Sequence, residues 1–481
     1  MVDFCLTEFM TDRFSFSGKK VTVFGLGISG GGVGTVEFLV RQGATDIRVT
    51  DSKSEQELAE SVEKIERLPG VRLFLGEHRT IDFTEVDMVI KNPRIPWSNE
   101  YVELAKRASV PVEMDSSIFF ALCEKPIIGV TGTKGKTTTA SAIAHLLKVA
   151  GKKVLEVGIG EMPVLSLVEH SAECDVVVFE LSSWRLSALA QMRKSPHIAV
   201  FTNFYPDHLN YYSSMEEYFT DKANIVRFQN ADDVFVYNAE SPELVREAER
   251  AISHLIFFAR EEKEGDGVFI REGDMVCREG KMDSVFASLS DIRVPGKHNI
   301  GNVLAAIAAA RAFSVDFEAI AKGILSFAGI PHRLEYVAER KQARWYNDSA
   351  ATIPDAAIAG IKSFETPMVL LAGGSDKNLD FDELGKTIAE SWHVKGAVLF
   401  VGDATEKLVA AIQKYGGEKK LFGTVSSMKE AIACVCAHIE PKDTVLLSPG
   451  TASFGLFRNE FDRGDQFRNM VTSLGRSKES A

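Results

Sequence analysis

The stretch from residue 127 to 147, IIGVTGTKGKTTTASAIAHLL, constrains the fold of this 481-residue chain more than any other. Its apolar start predicts a buried strand, and a loop with two glycines leads into an amphipathic helix that begins at Lys136 and Thr137. The glycines, Gly132 and Gly135, let backbone N–H groups surround phosphate oxygens, and the helix N-terminus adds partial positive charge. Lys136 is placed to reach the outer phosphates and Thr137 to hold Mg²⁺. The stretch therefore predicts an α/β domain that binds ATP.

A second glycine-rich turn lies near the N-terminus. The strand KVTVFG runs into GLGISGGGVG and a helix, and the next strand ends at Asp51. Gly25, Gly27 and Gly30, with an acid after the following strand, fit a dinucleotide-binding fingerprint. Taken alone, this pattern indicates a NAD-dependent dehydrogenase. The same glycines also fit close packing of a strand against a helix without any ligand.

Polar motifs recur along the rest of the chain, mostly where predicted strands end. They are TGTKGKTT (131 to 138), FELSSW (179 to 184), TNFYPDHL (202 to 209), GKHNIGN (296 to 302), PHRLE (331 to 335), NDSAAT (347 to 352), GGSDKNLDF (373 to 381) and LSPGTASFGLFRNEFDRG (447 to 464). Their order resembles that of the Mur ligases and the related folylpolyglutamate synthetases, which join an amino acid to a carboxylate at the expense of ATP. The compact phosphate loop, with Val130 in place of the first P-loop glycine, belongs to the same resemblance. It is closest to the family branch that adds D-glutamate to UDP-N-acetylmuramoyl-L-alanine in peptidoglycan precursor synthesis.

The resemblance implies an acyl-phosphate mechanism, in which a carboxylate attacks the γ-phosphorus of ATP and the amine of an amino acid then displaces phosphate. The implied ATP-binding residues are Gly132, Thr133, Lys134, Gly135, Lys136, Thr137, Thr138, His298, Asn299, Asn302, Arg333 and Asp348. Three of these, His298, Asn299 and Asn302, are implied at the adenine. Arg333 is implied at a phosphate and Asp348 at the ribose, both after domain closure.

Two further side chains are predicted beside the phosphate loop. Glu180 and His208 lie at or just after the carboxyl ends of two predicted strands, on the sheet edge where the loop begins. The resemblance implies that Lys222, in a predicted helix, carries CO₂ as a carbamate and so becomes an anionic ligand. The implied catalytic residues are Lys136, Glu180, His208 and carbamylated Lys222, and the implied ligands of two Mg²⁺ ions are Thr137, Glu180, His208 and Lys222.

The resemblance also implies two substrate sites. The UDP-sugar residues are Leu26, Gly27, Ile28, Ser29, Asp51, Ser52, Lys53 and Asn92, and the amino-acid residues are Thr352, Lys377, Ser453 and Phe461. Three positions depart from the family pattern. Arg94 replaces a glycine, Gly158 an asparagine, and Ala350 a lysine that could help to hold a carboxylate of the amino acid.

The order of predicted elements indicates three open α/β domains. We expect an N-terminal Rossmann-like domain that binds the UDP-sugar at 1–115, a central P-loop ATPase-like domain at 116–328 and a C-terminal Rossmann-like domain that binds the amino acid at 329–481. VDMVIKNP is predicted as the third strand of the first domain. The charged, glycine-containing segment 259–290 predicts an antiparallel excursion from the central sheet.

Composition limits the partners and the compartment. The balance of 55 basic and 67 acidic residues gives a net charge of −12, which argues against a nucleic-acid surface. The six cysteines are scattered without metal spacing, which indicates free thiols in a reducing compartment. No apolar run is long enough for a membrane span. We therefore expect a cytoplasmic protein that inserts into no membrane. A monomer is also expected, although nothing in the composition determines the oligomeric state.

Three alternatives to D-glutamate ligation remain at this point. The first is a sibling ligase that uses another acceptor or amino acid, including L-glutamate. The second is the NAD-dependent dehydrogenase indicated by the N-terminal glycines, and the third is a nucleotide-binding regulator without catalysis. Phosphate release with candidate acceptors distinguishes all of them.

Overall fold

The computed structural model describes residues 13–160, 162–208, 211–376 and 379–474. Within these ranges the chain forms three separate sheets with helices between their strands. The contacts divide the chain into two compact units, the first comprising Met1–Leu289 and Gly301–Gly323 and the second Ser290–Ile300 and Ile324–Ala481. The α/β architecture with three sheets confirms the predicted fold class, whereas the boundaries after residues 115 and 328 stay predictions.

The first sheet has five parallel strands in the order β3-β2-β1-β4-β5. The strands are β1 Lys20–Phe24, β2 Asp46–Asp51, β3 Val71–Leu75, β4 Met88–Lys91 and β5 Val112–Glu113, and the helices are α1 Gly31–Arg41, α2 Ala59–Ile65, α3 Ile81–Thr84 and α4 Glu100–Arg107. The order reverses between β1 and β4, which opens a crevice at their carboxyl ends. The strand VDMVIKNP is the fourth along the chain and not the third. The prediction missed β3 because this edge strand is only partly buried and lacks a continuous apolar run.

The second sheet has nine strands in the order β14-β13-β12-β11-β10-β9-β6-β8-β7. The strands are β6 Ile127–Thr131, β7 Val154–Val157, β8 Val176–Glu180, β9 Ile198–Phe201, β10 Val234–Asn238, β11 His254–Phe258, β12 Gly267–Arg271, β13 Asp274–Glu279 and β14 Met282–Ser288. The central strands β6, β8 and β9 are parallel and buried, as their apolar β-branched sequences predict. The antiparallel pairs β12–β13 and β13–β14 confirm the predicted excursion.

Helices cover both faces of this sheet. They are α5 Asp115–Leu122, α6 Lys136–Val149, α7 Ser183–Met192, α8 Met215–Ala223 and α9 Pro242–Ala248, and α10 Lys297–Ala312 and α11 Phe317–Ser326 follow the excursion. Two serines begin the helices that matter for the site. Ser182 accepts from the Arg185 N–H at the start of α7, and Ser214 accepts from the Glu217 N–H at the start of α8. These caps fix where α7 and α8 leave the sheet edge.

The third sheet lies in the second unit and has six strands in the order β15-β16-β20-β17-β18-β19. The strands are β15 Glu335–Arg340, β16 Ala343–Asn347, β17 Met368–Ala372, β18 Val394–Phe400, β19 Leu421–Val425 and β20 Thr444–Leu447, with helices α12 Pro354–Lys362, α13 Asp382–Glu390, α14 Asp403–Lys414, α15 Met428–His438 and α16 Glu460–Ser473. Only β15 and β16 pair antiparallel within it. Trp345 on one face and Tyr346 on the other belong to separate apolar cores, so the sheet is covered on both sides.

Two chemical features of the described ranges bear on the predictions. The five cysteines found there are free thiols, and Cys5 lies outside the described residues. Across the same ranges, every helix is too short or too polar to cross a bilayer.

Candidate active site

The phosphate loop connects β6 to α6 and contains two glycines in the left-handed half of backbone space. Gly132 has φ 150° and Gly135 has φ 79°. A Cβ at Gly132 would lie 1.9 Å from Thr202 Oγ1, and one at Gly135 would lie 2.2 Å from Asn302 Oδ1. Both positions therefore require glycine for conformation and for space.

Asn203, just after β9, fixes the shape of this loop. Its carbonyl accepts from the Thr133 N–H at 3.0 Å, and its side-chain oxygen accepts from the Lys134 N–H at 2.9 Å. Its amide also donates to the Lys134 carbonyl at 2.9 Å, and Thr202 Oγ1 donates to the same carbonyl at 2.8 Å. The loop is thus held from a neighbouring strand before any ligand binds, which favours preorganised phosphate contacts.

Two lysines meet under the loop. Lys136 Nζ donates to the carbonyls of Gly132 at 3.1 Å and Thr133 at 3.2 Å. Lys222 Nζ, on α8, donates to the Gly132 carbonyl at 2.9 Å, and its side chain is only 2% exposed. Burial, and secondarily the charge of Lys136, lowers the pKa of Lys222 well below its usual value. Burial also lowers the pKa of Lys136. Lys222 is therefore a buried amine and not the solvated lysine typical of a polar helix.

Glu180 and His208 lie beside these lysines, as predicted. Glu180 ends β8 opposite Val130 of β6, and its charge raises the pKa of both Lys136 and Lys222 against the effect of burial. The His208 ring packs between Trp184, at 5.0 Å, and Tyr218, at 5.7 Å. Burial is the main cause that lowers the pKa of His208, so its imidazole is neutral near pH 7.

The side chains beside the phosphate loop suit Mg²⁺ only if phosphates or water supply further oxygen ligands. Within the described ranges no three His, Cys, Asp or Glu side chains converge on one metal position. Mg²⁺ prefers oxygen ligands in an octahedral arrangement and usually takes several from phosphates and water. Glu180 and the half-buried Thr137 suit such a site, and a carbamate on Lys222 would add anionic oxygens.

A cavity of about 830 Å³ opens at the carboxyl ends of β1 and β4 in the same unit. All eight residues predicted for the UDP-sugar line it: Leu26, Gly27, Ile28, Ser29, Asp51, Ser52, Lys53 and Asn92. Asp51 shapes the turn, because its carboxylate accepts from the N–H groups of Gly27 and Lys53, both at 3.0 Å. The volume of the cavity is typical of a small-molecule site. Close packing of a strand against a helix, the explanation that needs no ligand, applies at a different glycine of this segment. A Cβ at Gly32 would lie 2.2 Å from the Leu26 carbonyl oxygen.

Several residues of this cavity are not among the predicted site residues, although the sequence singles out Arg94 as a departure from the family pattern. Lys91 is almost fully buried, donates from Nζ to the Ile95 carbonyl at 2.8 Å and has a pKa lowered to about 7, chiefly by burial. Arg94 lines the cavity, is exposed, and has no side-chain partner among the described residues. Trp184 and Arg185 extend the lining from α7, and Arg185 pairs with Asp115 at 2.9 Å. Such pairs leave no local sequence signal because their members lie far apart in the chain.

The adenine candidates belong to different units. Asn302 lies against the phosphate loop, where Thr139 Oγ1 donates to its side-chain oxygen at 3.4 Å. His298 and Asn299 belong to the second unit, and Asn299 Nδ2 donates to the Pro295 carbonyl at 2.6 Å. Their contacts with adenine stay predictions.

In the second unit, the turn that carries Arg333 is hydrogen-bonded to Asp348 through the neighbouring Leu334. Arg333 is exposed, and its guanidinium makes no hydrogen bond or ion pair among the described residues, although its charge acts on Asp348. Asp348 is 5% exposed, and its carboxylate accepts from the Leu334 N–H at 3.1 Å and from Ser448 Oγ at 2.7 Å. Burial raises the pKa of Asp348 to about 7. Both carboxylate oxygens of Asp348 thus accept hydrogen bonds from within the protein. The contact of Asp348 with the ribose stays a prediction.

The loop that carries Ser453, one of the predicted amino-acid residues, contains two buried hydroxyls without partners among the described residues. Ser453 is 3% exposed, and neither its Oγ nor that of the neighbouring Thr451 has a hydrogen-bond partner among the described residues. Thr352 is half-buried, and Phe461 is 49% exposed with its ring 5.5 Å from that of His332. Lys377 lies outside the described residues. Buried hydroxyls without partners are uncommon, so a ligand with acceptor oxygens suits this loop.

Family models match the chain in three consecutive stretches. The Mur ligase MurD-like N-terminal domain matches residues 19–113, the Mur ligase middle domain 130–310 and the Mur ligase glutamate ligase domain 332–450. The chain belongs to the Mur ligase family.

Full-length relatives agree with this membership. A UDP-N-acetylmuramoylalanine–D-glutamate ligase of a Roseiflexus species is 39% identical over 466 residues, 95% of this chain and 99% of the relative. The enzyme of the same name from Symbiobacterium thermophilum is 36% identical over 460 residues, 95% of this chain and 98% of the relative. The solved UDP-N-acetylmuramate-alanine ligase of Thermotoga maritima is 19% identical with a TM-score of 0.52, over 95% of this chain and 99% of that one, and so shares the fold.

As a Mur ligase, the chain is an ATP-dependent, ADP-forming ligase of amino acids. The glycine turn after β1 belongs to the MurD-like N-terminal domain, and this membership replaces the dehydrogenase alternative.

Proposed function

We propose that this Mur ligase joins D-glutamate to UDP-N-acetylmuramoyl-L-alanine, with cleavage of ATP to ADP and phosphate, in the cytoplasmic synthesis of peptidoglycan precursors. The observation that carries the proposal is the segment from Glu180 to Arg185. Glu180 lies beside the two lysines of the phosphate loop, and Ser182, Trp184 and Arg185 line the neighbouring cavity. One turn of chain thus joins an ATP site to a sugar-nucleotide site, so that an acceptor carboxylate can reach the γ-phosphate.

The reaction has two steps that conserve every oxidation state. The alanyl carboxylate attacks the γ-phosphorus, the bond to ADP breaks, and an acyl phosphate forms. The D-glutamate amine then attacks the acyl carbon, phosphate leaves, and the amine loses a proton to give the amide. In such transfers the protein contributes positioning and charge neutralisation, which the amides of the loop and Lys136 supply here.

Mg²⁺ held by Thr137, Glu180 and His208 would neutralise the charge that develops on the phosphates. We extend the proposal to a carbamate on Lys222, because a carbamate forms only from an uncharged amine and burial favours that form here. The carbamate would turn a cation into an anionic ligand, which suits a site with two Mg²⁺ ions. Lys136 then remains the lysine that contacts phosphate.

D-glutamate has two carboxylates, and each needs charge-assisted donors when buried. The hydroxyls of Thr451 and Ser453, together with Thr352, Lys377 and Phe461, are proposed to form this site. Arg333 is proposed to contact a phosphate of ATP. We further propose that the enzyme works as a monomer without nucleic acid.

L-glutamate is the second candidate substrate, because Ala350 supplies no cation that could fix one carboxylate and so help to distinguish the two enantiomers. The test is phosphate release with D-glutamate, L-glutamate, D-aspartate and L-lysine at matched concentrations, each with ATP and UDP-N-acetylmuramoyl-L-alanine. We expect D-glutamate to give the highest rate. A higher rate with any of the other three would overturn the proposed specificity, and no release with any of them would overturn the proposed ligation.

A further inference from the structure

The turn that carries Arg333 has an unusual backbone. Its two neighbours, His332 and Leu334, both adopt the left-handed conformation, with φ of 63° and 45°. Residues with a side chain pay a steric cost there, so surrounding contacts must hold them in place. The Arg333 guanidinium is therefore exposed at the surface, whereas hydrogen bonds hold the backbone of both flanking residues in place.

Glu335 makes hydrogen bonds that hold this turn in place. Its Oε2 accepts from the His332 N–H at 2.9 Å and from Asn347 Nδ2 at 3.0 Å. Arg468 closes the arrangement, with Nε donating to Oε1 at 2.7 Å and Nη2 donating to Oε2 at 2.9 Å. Glu335 is only 8% exposed, so this paired contact satisfies a buried carboxylate.

Arg468 lies on α16, and the same face of this helix contacts the turn at two more positions. Phe461, Gly464 and Arg468 are spaced three and four residues apart, which places them on one side of a helix. The Phe461 ring lies 5.5 Å from the ring of His332. A Cβ at Gly464 would lie 2.1 Å from His332 Nδ1, so the helix backbone packs directly against the histidine.

We propose that α16 and Glu335 position Arg333 for its contact with phosphate, with Arg468 and Gly464 as positioning residues. The inference rests on the proposed role of Arg333. The exposed Arg333 side chain makes no hydrogen bond or ion pair among the described residues, so its direction depends mainly on the turn that carries it. A ligand contact that must be held to within a fraction of an ångström loses about ten- to a hundredfold in rate when its support shifts.

A double-mutant cycle tests this proposal in the full-length enzyme. Arg468→Lys keeps the charge but loses the paired hydrogen bonds, and it is made in the wild type and in Arg333→Ala. The measured quantities are kcat, the KM for ATP, the KM for the sugar nucleotide and the Tm. We expect Arg468→Lys to lower kcat/KM for ATP by about tenfold in the wild type and to have no further effect when Arg333 is already alanine. The Tm should fall equally in both backgrounds.

Gly464→Ala provides a second variant, because its methyl group pushes His332 without removing any charge; the same dependence on Arg333 is expected. Lys395→Ala is the matched control. Lys395 pairs with Asp443 at 2.8 Å in the same unit, so this change should lower the Tm and leave the KM for ATP unchanged. Equal losses from Arg468→Lys in both backgrounds would overturn the positioning role alone. An Arg333→Ala enzyme with normal kinetics would overturn the role of Arg333 in the proposed function as well.

Discussion

Lys136 and Lys222 donate to the same carbonyl oxygen, that of Gly132, at 3.1 and 2.9 Å. One acceptor therefore serves two amines in a buried place, and the charge of Lys136 disfavours the charged form of Lys222. Lys222 is the more deeply buried of the two, so it is the one that gives up its proton more easily. This pair gives the carbamate proposal its physical basis.

Replacement of Lys222 by alanine should lower phosphate release by at least about a hundredfold, since the site loses its added anionic ligand. Formate or acetate should restore part of the activity, because a small carboxylate fits the space left by the side chain. Lys222→Arg should not respond to either anion, since its guanidinium fills that space and cannot form a carbamate. The exposed Lys152→Ala is the control and should behave as the wild type. Normal turnover of Lys222→Ala in buffer depleted of CO₂ would show that the lysine is only structural.

Ser453→Ala should raise the KM for D-glutamate by about tenfold without a loss of stability. The Ser453 hydroxyl has no partner among the described residues, so its removal leaves nothing unpaired in the free enzyme. A carboxylate of the substrate would lose one donor, which accounts for the weaker binding. Ser448→Ala is the control, since Ser448 Oγ donates to Asp348 at 2.7 Å and its loss should lower the Tm. A Ser453 variant with a lower Tm and an unchanged KM would contradict the assignment.

Arg94→Ala should raise the KM for the sugar nucleotide by about three- to tenfold and leave the KM for ATP unchanged. The guanidinium lines the cavity and pairs with no side chain of the described residues, so a diphosphate is its natural counter-charge. Because Arg94 is exposed, salt should reduce the difference between variant and wild type. Steady-state kinetics at two ionic strengths measures both effects. Arg107→Ala, an exposed arginine on α4 outside the cavity, is the control, and equal effects of the two changes would argue against a specific contact.

Asp348 should make the enzyme less stable as the pH rises. Burial raises the pKa of Asp348 to about 7, whereas an aspartate in an unfolded chain has a pKa of about 3.9. Between these values the folded protein holds a proton that the unfolded chain has lost, so the stabilisation is complete below about pH 4 and is lost as the pH passes 7. Asp348→Asn should remove this slope. The measurement is the Tm of both proteins at pH 5 and pH 8, with a larger drop of about 3 °C or more in the wild type. Parallel curves would show that Asp348 does not titrate in this range.

Much of the active site could be predicted because it is encoded locally. The phosphate loop, Glu180 and the glycine turn after β1 each lie within a single strand-to-helix connection, where an apolar strand and a polar loop are adjacent in the sequence. Lys222 shows the limit of this reasoning. The polar helix around it is typical of an exposed surface, whereas in the structure the Lys222 amine is buried and donates to the carbonyl of Gly132, 90 residues earlier.

Longer-range contacts left no signal that a single sequence could reveal. Arg468 and Glu335 are 133 residues apart, and Arg185 and Asp115 are 70 apart. Each of these side chains, taken alone, is typical of a charged surface. Thr451 was missed for another reason: its proposed role is indicated only by a buried hydroxyl that has no hydrogen-bond partner in the part of the chain that the structure describes.

The contacts of the two loop glycines have a consequence for how this chain can change over evolutionary time. Gly132 faces Thr202 and Gly135 faces Asn302, each so closely that even one methyl group would overlap its neighbour. A larger residue at either position therefore demands a smaller one opposite it and a new backbone angle at the same moment. A single substitution cannot supply both changes. The loop is thereby restricted to paired changes with strands and helices elsewhere in the chain, and these two positions should drift more slowly than exposed positions of the same loop such as Lys134.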